Sequence, residues 1–311
     1  MEALAHQAAR LWGFEPHQIT LAARRENIVW RVEDRRGAFA LRLHRPGYRS
    51  DCELISELQW MEALVQGGLN VPRPLPSHSG HLVEEVDGTL VDLLTWLPGR
   101  PVGLQAQLDV PDRSGFCRDL GALLARLHAV SDAWTPPQGF TRPSWDRAGL
   151  VGETPLWGPF WDNPGLTAAQ RATLLAARAK AERHLAGIEA GLDYGLIHAD
   201  ALSENILIHD GALSLIDFDD GGWGFRDFDL ATFLMRFLGA PDYPALRAAL
   251  LEGYGARRAV DPGTLDLSIL LRALTYPGWI IPRLSEPGGE ERSARAIRTA
   301  LPLAEAYLAK C

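Results

Sequence analysis

Cysteine is scarce in this chain. Three occur in 311 residues, Cys52, Cys117 and Cys311, an odd number, far apart and with no C-x-x-C pair. That spacing argues against a disulfide framework or a structural zinc site, and predicts a reducing, cytoplasmic setting. Long apolar runs are missing as well. No stretch approaches the roughly 18–20 uninterrupted apolar residues a membrane span needs, so no membrane partner is expected. Residues 1–14 place Leu4, Ala8, Leu11 and Trp12 at helical spacing, broken by Glu2, His6, Gln7 and Arg10. This reads as an amphipathic helix, not a signal peptide with a continuous apolar core. An excess of basic residues is also absent. Lys and Arg number 31 against 39 Asp and Glu, a formal charge of −8, without the basic footprint that a nucleic-acid partner leaves. There is no internal repeat and no low-complexity tract. With 47% hydrophobic and 23% charged residues, the chain is an ordinary globular sequence, long enough for one large domain or two lobes.

The first hundred residues are strand-rich. Residues 28–32 and 38–44 form short strands around a charged turn at 33–37; Phe39, Leu41 and Leu43 share one face, and Ala40, Arg42 and His44 the other. Ser50-Asp-Cys-Glu53 is a capping box that opens a helix with Leu54, Leu58, Met61 and Val65 on its apolar stripe, and Gly67-Gly68 ends it. Two more strands, 81–86 and 89–97, flank Asp87-Gly88. Beyond Pro98-Gly99 helices dominate, at 115–129, 168–190, much of 227–254 and 292–310, with an irregular segment at 131–165 that holds Trp134, Trp145, Trp157 and Trp161. The expected class is α+β. A small β-rich N-lobe, residues 1–97, carries one key helix, and a larger, mostly helical C-lobe spans 98–311.

Residues 196–231 carry the chemistry. His198-Ala-Asp200 follows two apolar residues, Asn205 comes five positions after Asp200, and two short apolar runs flank Asp210-Gly211 before Asp217. Asp-Gly between such runs predicts a hairpin, because both turn positions require positive φ. Folding that hairpin brings Asn205 and Asp217 together at its open end, a carboxylate and an amide oxygen suited to a hard cation such as Mg²⁺. Three polar residues beside apolar strands are costly to bury without a metal or partner.

The H-x-D-x-x-x-x-N pattern followed by Ile-Asp resembles the catalytic and metal-binding segment of protein kinases and their small-molecule relatives. Within that superfamily the chain is most similar to the aminoglycoside phosphotransferase, choline kinase and homoserine kinase group. Its LRLHRPGYRS (41–50), SELQW (56–60), HADALSEN (198–205) and IDFDD (216–220) motifs look closest to the bacterial stress-response Ser/Thr kinase branch. The resemblance implies a two-lobed protein-kinase-like fold and transfer of the ATP γ-phosphate to an alcohol. It makes Asp200 the group that orients the acceptor hydroxyl and accepts its proton, and Asn205 and Asp217 the Mg²⁺ ligands. Arg42 takes the place of the usual phosphate-positioning lysine, paired with Glu57. Thr95, Trp96 and Leu97 would meet the adenine. No glycine-rich loop precedes the strand at 28–32, so Arg24, Arg25 or Asn27 would serve the phosphates. Asp229 would brace the catalytic loop, and Arg272, Tyr276 and Trp279 fall where relatives bind acceptors. Ala199 before Asp200, and Asp219-Asp220 where protein kinases have Gly, imply no activation-loop control.

The expected acceptor is a small-molecule alcohol, homoserine or another amino alcohol, with a protein Ser/Thr acceptor as the alternative. Seven arginines between 257 and 298 weigh against polycationic aminoglycosides. Asp219 and Asp220 fit either a cation or amine site or a solvated turn before Gly221-Gly222. Two other classes compete: a non-catalytic nucleotide-binding scaffold, and a metal-dependent hydrolase that would leave residues 40–57 without a role.

Overall fold

The structure, a computed structural model, describes residues 1–15, 19–24 and 27–310. Arg25 and Cys311 lie outside the described residues. The chain divides into two compact units. The first comprises residues 1–102, 129–142 and 204–219, and the second 103–128, 143–203 and 220–311. This differs from a single cut at 97/98. The later pieces join the first unit because they pair with it: the 206–215 hairpin bonds to residues 100–101, and Trp60 donates to Ser131 at 2.9 Å.

In the first unit, helix α1 (Glu2–Arg10) precedes strands β1 (Ile19–Arg24), β2 (Ile28–Asp34) and β3 (Gly37–Leu43). Helix α2 (Asp51–Gln66) is followed by β4 (Pro74–Leu75), β5 (Val83–Val86), β6 (Thr89–Thr95) and β7 (Arg100–Pro101). The sheet is antiparallel, ordered β1-β2-β3-β6-β4 with β5 on β6. Alternation along β3 and β6 sends Leu41, Leu43, Val91 and Leu93 into a core with Ala5, Ala8, Trp12 and Trp30, each large side chain contributing roughly 1.5–3 kcal/mol. The opposite face carries Arg42, with Asp92 directly across the ladder. Helix α2 begins with the expected capping box, Ser50 and Glu53 bonding reciprocally.

Helix α3 (Arg113–Ala133), β8 (Ser144–Trp145), α4 (Arg147–Val151) and α5 (Ala168–Ile188) follow, then β9 (Tyr194–Ile197), β10 (Ile206–His209), β11 (Ala212–Leu215) and β12 (Gly222–Phe225). Helices α6 (Asp227–Met235), α7 (Tyr243–Gly255), α8 (Pro262–Trp279) and α9 (Gly289–Ala309) complete the chain. The second unit packs its helices around Trp145, Phe160, Leu174, Phe228, Leu270 and Leu274. The Asp219-Asp220 turn before Gly221-Gly222 is not solvated: Asp219 is buried and Asp220 half-buried. Gly222 opens a buried strand between β8 and β9, where a Cβ would stand 2.2 Å from the Pro143 carbonyl. No helix among the described residues is long and apolar enough to cross a membrane.

Candidate active site

The functional side chains of the first unit begin with a buried ion network on the sheet face opposite the core. Arg42 Nε and Nη2 donate to the two carboxylate oxygens of Asp92, both at 2.8 Å. Its Nη1 donates to Glu57 Oε1 at 2.7 Å. Asp92 also meets His44 Nε2 at 2.7 Å, and Glu57 Oε2 accepts from Arg142 at 3.4 Å. Burial by itself favours the neutral carboxyl, but the Arg42 and His44 partners outweigh it and hold Asp92 at a pKa of about 2. Glu57 is likewise lowered, burial being overcome by Arg42 and Arg142, and Arg42 is raised against its own burial by Asp92 and Glu57. Lys180 and Lys310 are the only lysines in the chain, so the cation on β3 is this arginine. Its planar fork engages two carboxylates at once, which an ammonium cannot do in that geometry. Glu53 is absorbed by its cap.

Asp92 and Arg142 escape a reading by motif. Asp92 left a trace, a lone carboxylate inside the apolar run Thr-Leu-Val-Asp-Leu-Leu-Thr, where a buried acid requires a cation. Arg142 left none, since it arrives from the irregular segment. Two of the four tryptophans of that segment act as packing: Trp134 stacks edge-on with Phe140, and Trp145 is fully buried against Phe228.

The hairpin closes as its sequence requires. Asp210 (φ 48°) and Gly211 (φ 79°) are both left-handed, Ile206 pairs with Leu215, and the Ile216 amide donates to the Asn205 carbonyl at 3.0 Å. Asn205 is buried and Asp217 exposed, the latter left-handed at φ 68°. Together they offer one amide and one carboxylate, hard oxygen donors that fit a divalent cation drawing further ligands from phosphates and water. Among the described residues no group of three or more His, Cys, Asp or Glu side chains is gathered to hold a metal, and Asn205 with Asp217 is a two-donor set. Asp219 is buried beneath arginines. Its carbonyl accepts from Arg49 at 3.0 Å and Arg142 at 2.6 Å, an arrangement that favours a structural role over an amine site.

At the end of β6, the Thr95 amide donates to the Arg73 carbonyl and the Trp96 amide to Ala38. Trp96 exposes 36% of its surface, with the Arg31 guanidinium 5.4 Å from its ring centre, and Leu97 is half-buried. Asn27 Oδ1 accepts from the Arg45 amide at 3.4 Å, and Arg24 is exposed.

The second unit carries Asp200. Its Oδ1 accepts from Arg272 Nη2 at 2.7 Å; Arg272 is fully buried and the Asp200 side chain 19% exposed. The Arg272 guanidinium lies 4.5 Å from the Trp157 ring centre and 4.8 Å from that of Tyr276, contacts that offset part of its desolvation. The loop before Asp200 hangs on Asp229, which accepts the His198 amide at 2.9 Å and the Ala199 amide at 2.7 Å. Ala199 is held left-handed there, at φ 62°. His128 bridges Asp229 at 2.9 Å and the Tyr254 hydroxyl at 2.8 Å. Burial depresses the His128 pKa, so its neutral ring donates to an ionised Asp229. His198 is fully buried, and its Nδ1 accepts the Asp200 amide at 3.2 Å. Helix α8, which presents Arg272, was not legible as a helix. Three more of the seven arginines between 257 and 298 are engaged within the protein: Arg258 pairs with Asp193, Arg292 with Glu286, and Arg283 donates to the Trp279 carbonyl.

Comparison with known proteins gives a consistent picture. The model of the phosphotransferase enzyme family matches residues 17–266. The homoserine kinase of Xanthobacter autotrophicus is 30% identical over 244 residues, 76% of this chain and 70% of that protein. The amicoumacin kinase of Bacillus subtilis is 26% identical over 281 residues, 85% of this chain and 79% of that protein. Among solved structures, the microcompartment-associated aminopropanol kinase is 29% identical with a TM-score of 0.83, covering 98% of this chain and 97% of that one. These comparisons do not show the narrower resemblance to the stress-response Ser/Thr branch.

Proposed function

This chain belongs to the phosphotransferase enzyme family and is a kinase, and from that premise we propose that it phosphorylates a small-molecule alcohol, homoserine or another amino alcohol. The acceptor oxygen attacks the γ-phosphorus of ATP, the bond to the β-phosphate oxygen breaks, ADP leaves, and the hydroxyl proton passes to Asp200. The observation that carries this reading is the Asp200 carboxylate itself. It is half-buried, bonded by a buried arginine at 2.7 Å, on a loop whose preceding amides are bound by Asp229. Such a group is pre-oriented before substrate arrives. Arg42, aligned by Asp92 and Glu57, positions the phosphates. The exposed indole of Trp96, with Thr95 and Leu97 beside it, supplies an apolar surface for the adenine, and Asn27 a polar contact for the phosphates. Mg²⁺ held through Asn205 and Asp217 would neutralise the phosphate charge.

ATP consumption with Mg²⁺, measured against amino alcohols, homoserine, sugars and aminoglycosides, tests the assignment. One small alcohol is expected to raise turnover, and Asp200→Asn to lower it by about 10²–10⁴-fold. Unchanged turnover in that variant would remove Asp200 from the chemistry. Nucleotide binding without turnover for any acceptor would favour a scaffold.

A further inference from the structure

We propose that Arg142 is a positioning residue that holds the Arg42–Glu57 pair and the Asp217 segment as one body. The inference rests on the roles just assigned to Arg42 and Asp217. Arg142 is buried and belongs to neither partner's motif. Its Nη1 donates to the Glu53 carbonyl at 3.0 Å and to Glu57 Oε2 at 3.4 Å. Its Nη2 donates to the Phe218 carbonyl at 2.9 Å and the Asp219 carbonyl at 2.6 Å. Glu57 thus has one carboxylate oxygen on Arg42 and the other on Arg142, and Arg142 continues the chain of bonds to the two residues after Asp217.

The local backbone supports that role. Asp217 is left-handed, a conformation that is costly for a non-glycine residue and persists only when its surroundings impose it. The carbonyls immediately after it are the ones Arg142 binds. Phe218 packs edge-on against Trp60 of α2 at 5.3 Å, and Arg49 adds a second bond to the Asp219 carbonyl. Arg142 is itself anchored, because the preceding Thr141 amide donates to Ser56 Oγ at 2.9 Å, one residue from Glu57. A guanidinium reaches a carboxylate and three carbonyls from one rigid plane, whereas a lysine offers a single point charge.

Outer partners that orient a metal ligand are typically worth about 10–100-fold in metal affinity. The test is equilibrium binding of a fluorescent, non-hydrolysable ATP analogue across a Mg²⁺ titration, with folding followed by circular dichroism. Arg142→Met is expected to raise the Mg²⁺ concentration for half-maximal binding by about tenfold. Metal-free analogue binding should change less, and Arg142→Lys should recover part of the loss. A folded Arg142→Met variant with the wild-type Mg²⁺ requirement overturns the proposal. If that variant does not fold, an unaltered requirement in Arg142→Lys overturns it instead. Asp217→Asn separates the two readings: a wild-type Mg²⁺ requirement there removes the metal from Asp217 and fails the proposed function, whatever Arg142 does.

Discussion

Asp229 is the single side chain on which the Asp200 loop depends most. It accepts three hydrogen bonds while fully buried: from the Ala199 amide at Oδ1, and from the His198 amide and His128 at Oδ2. In Asp229→Asn one terminal atom becomes a donor. If that atom occupies the Oδ2 position, His128 can change tautomer and accept from it, but the His198 amide is left facing another N–H. A buried donor without a partner costs about 1–3 kcal/mol, and losing the carboxylate's charge-assisted bonds adds to it. We expect Asp229→Asn to lose about 2–3 kcal/mol of stability and Asp229→Ala, which strands both amides and His128, about 4 kcal/mol. Turnover should fall at least tenfold in either, because Asp200 directly follows the displaced amides. Urea unfolding followed by tryptophan fluorescence gives the first quantity, and steady-state kinetics on the folded fraction the second. Stability within about 0.5 kcal/mol of wild type in Asp229→Asn would refute the reasoning, because that is the size of an ordinary surface change.

The buried acid on β6 predicts a pH signature. The Asp92 pKa falls from 3.8 to about 2 on folding, so its contribution is present above about pH 4 and lost as pH falls toward 2. A shift of that size corresponds to about 2.5 kcal/mol. Asp92→Asn should therefore be less stable at neutral pH, with the gap from wild type closing between about pH 4 and pH 2 in acid-unfolding curves; a constant gap would contradict this. Gly211→Ala places a Cβ in open space but at φ 79°, so we expect a loss of about 1 kcal/mol from backbone strain alone, read from the urea midpoint. Burial raises the Cys117 thiol to about 12 while Cys52 is exposed. Peptide mapping after iodoacetamide treatment of the native protein should find Cys52 modified and Cys117 untouched until the chain unfolds.

Local chemistry made much of this protein readable from its residues alone. The Ser50–Glu53 capping box, the Asp210-Gly211 turn and the alternation along residues 38–44 depend on near neighbours in the chain, and the structure carries each of them. The Asn205 carbonyl accepts from the Ile216 amide, next to Asp217, for the same reason: a two-residue turn leaves only one register. The pairing of Arg42 with Glu57 was legible only through the resemblance to the kinase motifs, and the structure carries it. Tertiary structure decided what lies across longer separations. Asp92 reaches Arg42 because β6 pairs with β3, and sheet register over fifty residues is not encoded in any local pattern. Arg142 and Arg272 bond their partners from an irregular segment and from a helix whose apolar residues, buried nearly all round, show no periodic stripe. Asp219-Asp220 is a turn, but a buried one rather than a solvated one, because Arg49 and Arg142 arrive from distant parts of the chain to bind the Asp219 carbonyl. The sequence by itself determined the helix cap, the strand alternation and the hairpin turn, and marked the candidate residues beside them. The long-range pairing of buried charges, where the cost of desolvation demands a partner, was decided only by the fold.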